Sequence, residues 1–245
     1  MLNIVVFKWK PLAEQKEFIP TQIGDSKIDY DSNKVAIHHA MVKRHLKIPF
    51  KYHLFTDEID PSLNLDILQH ELWSTHRELG GCFHRLFTFS KEFGDFIGGR
   101  FICMDLDMVI VDDISKLLNR KEEFVYYRMR NADGNGWRMN NGMYMMEPGS
   151  RKEIWETFDK NPSRAMDNRV GPGTDQGVTN SLLNLKKEAN WSQRRGIYDM
   201  RQDFLTTGKS ELPHDAKIIM FPGPRDPDNN NLKAHFKWIE TNYRL

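Results

Sequence analysis

The sequence predicts an α/β fold, on three observations: an apolar strand opens the chain, strands then alternate with amphipathic helices, and a second fully apolar strand ends abruptly in acid. A single domain over residues 1–245 is expected. The chain has 39% hydrophobic and 28% charged residues, enough for one core, and no internal repeat or long linker divides it.

Leu2 to Phe7 is a β-rich apolar run, and Val35, Met41, Val42 and Leu46 recur at helical spacing until Ile48-Pro49-Phe50 breaks the helix. Tyr52 to Phe55 makes a second strand, completing the strand–helix–strand rhythm of a nucleotide-binding half. Phe83, Leu86, Phe87 and Phe93 predict one amphipathic helix closed by Gly94. Phe101-Ile102-Cys103-Met104 then reads as a buried central strand. Asp113 is placed to cap a short helix over 114–118, Phe124 to Tyr127 and Met143 to Met146 are further strands, and Glu147-Pro148-Gly149-Ser150 turns into a helix. A helix through Val178, Leu182 and Leu183 and a strand over 217–221 precede the Pro-Gly cluster of an irregular C-terminal portion.

Composition excludes several classes. Lys plus Arg number 35 against 34 Asp plus Glu, so no global field draws the protein to nucleic acid or to an anionic membrane. No stretch approaches the roughly 20 apolar residues of a membrane span, and the opening run is too short for a signal sequence. Cys82 and Cys103 are the only cysteines and are read as reduced, buried thiols. A cytoplasmic enzyme is the expectation.

The acidic strand end carries the chemistry. Asp105 and Asp107 are separated by one residue, and positions i and i+2 of an extended chain point the same way. Both carboxylates can therefore converge on one hard cation, Mn²⁺ or Mg²⁺, which prefers such oxygens and leaves positions open for substrate phosphates. Asp112 and Asp113 sit at a helix start and are assigned to capping. His38 and His39 are read as partly exposed helix residues, and of Trp137, Trp191 and Trp238 at least two as core.

An apolar strand ending in Asp105-Leu106-Asp107 resembles the Asp-x-Asp region of glycosyltransferases with the GT-A fold. Three further segments follow in that family's order. Asn140-Asn141-Gly142-Met143-Tyr144 resembles its Asn-Ser-Gly strand, Gly173-Thr174-Asp175-Gln176-Gly177 its Asp-Gln loop, and Phe221-Pro222-Gly223-Pro224-Arg225-Asp226-Pro227 its late Gly-x-x-Lys-Pro loop. The set is most similar to the family-eight (glycogenin and galactosyltransferase-like) group. This implies a Rossmann-like domain with a mixed central sheet flanked by helices, a nucleotide-sugar donor (a UDP-sugar), a carbohydrate or glycoconjugate acceptor, and transfer with retention.

The same resemblance assigns roles. Phe7, Lys8 and Trp9 would start the nucleotide pocket. Arg85, Asp105, Leu106, Asn140, Asn141, Gly223 and Arg225 would contact the donor, Asp105 and Asp107 the metal, and Asp175 and Gln176 would stand beside the reacting face. Asp175 could also be the helix N-cap. Two departures stand out: Met220 or Pro222 occupies the place of a metal-binding His, for which His214 or His235 could substitute, and Asp226 replaces the late-loop Lys. A haloacid dehalogenase-type phosphatase and a non-catalytic nucleotide-sugar-binding protein are the competing classes. A nucleotidyltransferase would need a Gly-rich loop after the first strand, where Phe7-Lys8-Trp9-Lys10-Pro11 has no glycine.

Overall fold

A computed structural model of the chain describes residues 1–9, 31–72, 79, 81–131, 136–192 and 195–245. β1 (Leu2–Lys8) is buried along its whole length. It lies parallel to β2 (Phe50–Thr56) on one side and to β4 (Phe101–Met104) on the other, and β2 continues in parallel to β3 (Ile67–Glu71). Both faces of β1 are covered: Ile4 and Val6 enter one core, Val5 and Phe7 the other. A continuous apolar run is what such a central parallel strand requires.

The sheet turns antiparallel beyond β4, where β7 (Trp137–Met146) pairs with it and then with β6 (Phe124–Arg130). β8 (Ala189–Trp191) closes that edge in parallel with β6, giving seven strands in the order β3-β2-β1-β4-β7-β6-β8. A small second sheet holds β5 (Met108–Ile110), β10 (Ile218–Met220) and β9 (Ile197–Asp199), with β10 central. The mixed sheet flanked by helices is the expected architecture.

α1 (Ser32–His45) starts where the Asp31 side chain accepts from Lys34 N at 2.9 Å, and it buries Val35, Met41 and Val42. His38 and His39 are buried too, contrary to the expectation of partial exposure. Tyr52 explains this: its hydroxyl shares a 2.8 Å hydrogen bond with His38 Nδ1, and its ring meets His39 edge-on at 4.9 Å.

The aromatic run after residue 80 is two helices, not one. A 3₁₀ helix (Gly81–Phe89) ends at Ser90, whose hydroxyl accepts from Phe93 N and so caps α2 (Lys91–Ile97). Gly98, with φ 65°, ends α2. Gly94 lies inside the helix, where a Cβ would meet Pro148 Cβ and Gly149 N at 3.3 Å, so its role is close packing on the turn after β7.

Asp113 accepts from Ser115 N at 2.8 Å at the start of α3 (Ser115–Leu118), and Asp112 pairs with Lys217. Trp191 is fully buried and donates to Leu117 O, while Trp238 packs against Phe204 and Phe236. Trp137 is 44% exposed. Cys103 is buried, Cys82 is partly buried, and both are free thiols. Among the described residues no helix is long and apolar enough to cross a membrane.

Candidate active site

The acidic strand end opens into a cleft of about 420 Å³ above the C-terminal ends of β1 and β4. Asp105 N donates to Gly142 O at 2.8 Å, which extends the β4–β7 pairing by one residue beyond β4. Leu106 turns into the core at 1% exposure, and its two neighbours, Asp105 and Asp107, line the cleft. A Cβ on Gly142 would lie 2.6 Å from Asp105 Oδ2 and 2.7 Å from Asn140 Oδ1. Only glycine lets both polar groups approach the strand so closely.

Arg85 reaches the same point from the 3₁₀ helix, whose Leu86, Phe87 and Phe89 anchor it in the core. The guanidinium is buried, with Nη2 2.6 Å from Asp105 Oδ1 and Nη1 3.5 Å from Asp175 Oδ2. Asp175 is the first residue of α4 (Asp175–Leu182), not its cap: Thr174 Oγ1 accepts from Gly177 N, leaving the Asp175 carboxylate for the cleft. Asn141 Nδ2 donates to Asp175 Oδ2 at 3.0 Å, and Thr179 Oγ1 donates to Asn141 Oδ1 at 2.8 Å. Gln176 lines the cleft beside them.

Burial raises the Asp105 carboxyl, with Arg85 opposing and the Asp175 charge adding to the rise. Asp107 is pushed well above the usual carboxylate range by burial, then by Asp105 and Asp226. For Arg85, burial works against the charge, but Asp105 and Asp175 outweigh it and hold the guanidinium above its ordinary value. The Cys82 thiol, also in the cleft, is pushed up to about 12 by burial and then by Asp175. A buried and a partly buried carboxylate that repel each other are what a divalent cation relieves, and Mg²⁺ or Mn²⁺ commonly uses one or two protein carboxylates plus substrate phosphates. Asp105 and Asp107 fit that pattern. Among the described residues no group of three or more His, Cys, Asp or Glu gathers to hold a metal.

The other expected residues divide. Trp9, Asn140, Asn141 and Gly223 line the cleft, with Arg85 Cζ 6.0 Å from the Trp9 ring centre. Phe7, Lys8, Leu106 and Arg225 do not. Phe7 stacks on Phe55 in the core at 5.4 Å, and Lys8 is buried at the end of β1. Arg225 is buried within the late loop, its Nη1 donating to Pro222 O at 3.0 Å. Met220 and Pro222 line the cleft, and neither His214 nor His235 does.

Asp226 is only 4% exposed and is ion-paired with Lys34 of α1. The sequence reading missed Lys34, because 192 residues separate the partners and no local pattern joins them. It also missed Arg138, which lines the cleft two residues before Asn140, where strand alternation would have placed both on one face.

No family model matches the chain, and no curated protein matches it by sequence. Its fold is similar to that of the glycosyltransferase GlyE of Streptococcus pneumoniae TIGR4, with a TM-score of 0.62 at 12% identity, covering 99% of this chain and 62% of that one. The apo form of GlyE gives 0.61 at 13%. The galactosyltransferase LgtC, in complex with donor and acceptor sugar analogs, gives 0.61 at 10% identity, covering 99% of this chain and 97% of that one. The chain thus has the fold of these glycosyltransferases, and it spans about three-fifths of the length of GlyE.

Proposed function

We propose that this chain is a glycosyltransferase, of the family-eight kind by motif, that moves a hexose from a nucleotide sugar to a carbohydrate or glycoconjugate acceptor. The observation that carries this reading is the buried Arg85 joining Asp105 to Asp175 in a cleft that Asp107 also lines. A UDP-sugar is the proposed donor, and Asp105 and Asp107 the residues that hold Mn²⁺ or Mg²⁺. When bound, the cation would stabilise negative charge growing on the leaving diphosphate.

The chain's own residues do the rest. Asp105, fixed by Arg85, is kept from swinging away from the reacting centre. Asp175 and Gln176, with Asn141 orienting the Asp175 carboxylate, face the transferred sugar as it gains oxocarbenium character. Trp9 offers a ring to the nucleotide base, with Phe7 and Lys8 supporting that strand end, and Gly223, with φ 78°, lets the late-loop backbone approach the phosphates. Arg225 stiffens that loop from within. Transfer with retention is part of the proposal, so proton NMR of the product should show the donor's anomeric configuration. A cytoplasmic location is also part of it and is consistent with two free thiols.

The test is release of free nucleotide from a panel of nucleotide sugars with Mn²⁺. One UDP-sugar should be turned over, with EDTA abolishing release and Asp107→Ala reducing it on the order of 100-fold or more. Donor binding without release would favour the non-catalytic reading. Phosphate release from a simple phosphoester, lost in Asp105→Asn, would favour the phosphatase, which the fold does not support.

A further inference from the structure

Among the described residues two arginines line the cleft, in opposite circumstances. Arg85 is held by two carboxylates. Arg138 forms no ion pair with any described carboxylate, and its Nε is buried with no hydrogen-bond partner. A guanidinium carries five donors and cannot shed its charge, so a buried, unanswered N–H waits for an acceptor that the described residues do not supply.

The position of Arg138 says which ligand could supply it. β7 runs antiparallel to β4, with Met143 opposite Met104, so the residues before Asn141 extend past the end of β4 and beyond Asp105. Arg138 stands opposite Met129, toward the outer end of the β6–β7 pairing and past the register irregularity at Tyr126/Tyr127, and it lines the cleft that Asp107, Pro222 and Gly223 also line. That end carries more unanswered charge. Arg128 and Arg130 place their guanidinium carbons 4.3 and 5.4 Å from the centre of the exposed Trp137 ring. Neither has an ion pair with a described carboxylate, and Arg128 Nε is also buried without a partner. By contrast Lys34 is taken by Asp226, and Arg225, whose Nη1 donates to Pro222 O, does not line the cleft.

Resting on the glycosyltransferase reading, we propose that this hairpin end is the acceptor platform and that the acceptor is an acidic glycan. Arg138 binds a phosphate or carboxylate on the acceptor close to the reacting sugar, while Trp137, flanked by Arg128 and Arg130, takes a following ring and its charge. A neutral acceptor would offer no charge to these guanidinium groups, two of which hold a buried Nε without a partner.

The experiment measures binding to protein saturated with UDP and Mn²⁺, so that the donor phosphate site is filled. The probes are a galacturonate hexamer and glucose 6-phosphate, each against its neutral counterpart, a galactose hexamer and glucose. A thymidylate hexamer tests for nucleic acid. The acidic sugars should bind in preference to the neutral ones, and which acid binds tighter distinguishes carboxylate from phosphate. Arg138→Gln should weaken them about tenfold or more. Arg130→Gln, which alters an exposed side chain and leaves the core intact, should weaken the galacturonate hexamer but not glucose 6-phosphate. Equal binding of acidic and neutral probes, indifference to Arg138→Gln, or tighter binding of thymidylate would overturn the proposal. Loss of UDP affinity in Arg138→Gln would do so as well, by placing Arg138 on the diphosphate. Failure of the unaltered protein to bind UDP would instead sink the glycosyltransferase reading, and the acidic probes run without UDP would still report on Arg138.

Discussion

Two buried cation–carboxylate groups flank Asp107, and they differ in what they face. Arg85, between Asp105 and Asp175, lines the cleft; Lys34, paired with Asp226, does not. The first pairing fixes side chains that touch the ligand space. The second ties α1 to the late loop, 192 residues away, and reaches the site through that loop and through the Asp226 charge beside Asp107. Equal burial therefore does not mean equal placement: exposure to the cleft separates the group proposed to serve the reaction from the group that holds shape.

Removing Arg85 should have the largest effect. Arg85→Met leaves Asp105 and Asp175 buried without their cation, so unfolding in urea should show a loss of about 3–5 kcal/mol, with donor-dependent nucleotide release lost as well. Because the Asp105 carboxyl, already raised by burial, can then protonate, the stability deficit should shrink as the pH falls. A variant of undiminished stability would mean that the bridge is not formed in solution.

Lys34→Met should cost about 3 kcal/mol by the same route but reduce nucleotide release far less than Arg85→Met. The double variant Lys34→Met/Asp226→Leu should recover most of that stability, since no buried charge is then left alone. If the double variant were no better than the single one, Asp226 would have a role beyond its pairing with Lys34.

The smallest effect lies one turn along α1 from Lys34, where His38 avoids the problem by staying neutral. Burial, followed by the neighbouring His39, lowers its pKa to about 3, against about 6.5 unfolded. A folded pKa below the unfolded one means that the unfolded chain takes up the proton first. Stability is therefore fully present above about pH 6.5 and lost as the pH falls toward 3, at up to about 1.4 kcal/mol per unit. The melting temperature should drop between pH 7 and 5, and more steeply for the unaltered protein than for His38→Gln.

Much of the candidate site was legible because its signals are local. Asp105 and Asp107 stand out as acids at the end of an apolar strand, and the later Asn, Gly, Asp and Gln residues occur in one order at short spacing. The helix split at Ser90 was misread because Phe83, Leu86, Phe87 and Phe93 keep one apolar spacing across it, and a serine cap is weak beside that pattern. Asp226 was read as a lost cation, which was half the matter, since the paired cation enters from another element.

By itself the sequence determined the α/β class, the central strands and the two carboxylates at the end of β4, because strand burial and alternation are properties of neighbouring residues. The tertiary structure alone decided that Arg85 would be shared by Asp105 and Asp175, that Lys34 would answer Asp226, and that Arg138 would be left without a described carboxylate. The physical reason is that a buried charge is defined by which distant group folds against it, and that depends on how the helices and loops close over the sheet, not on the spacing of residues along the chain.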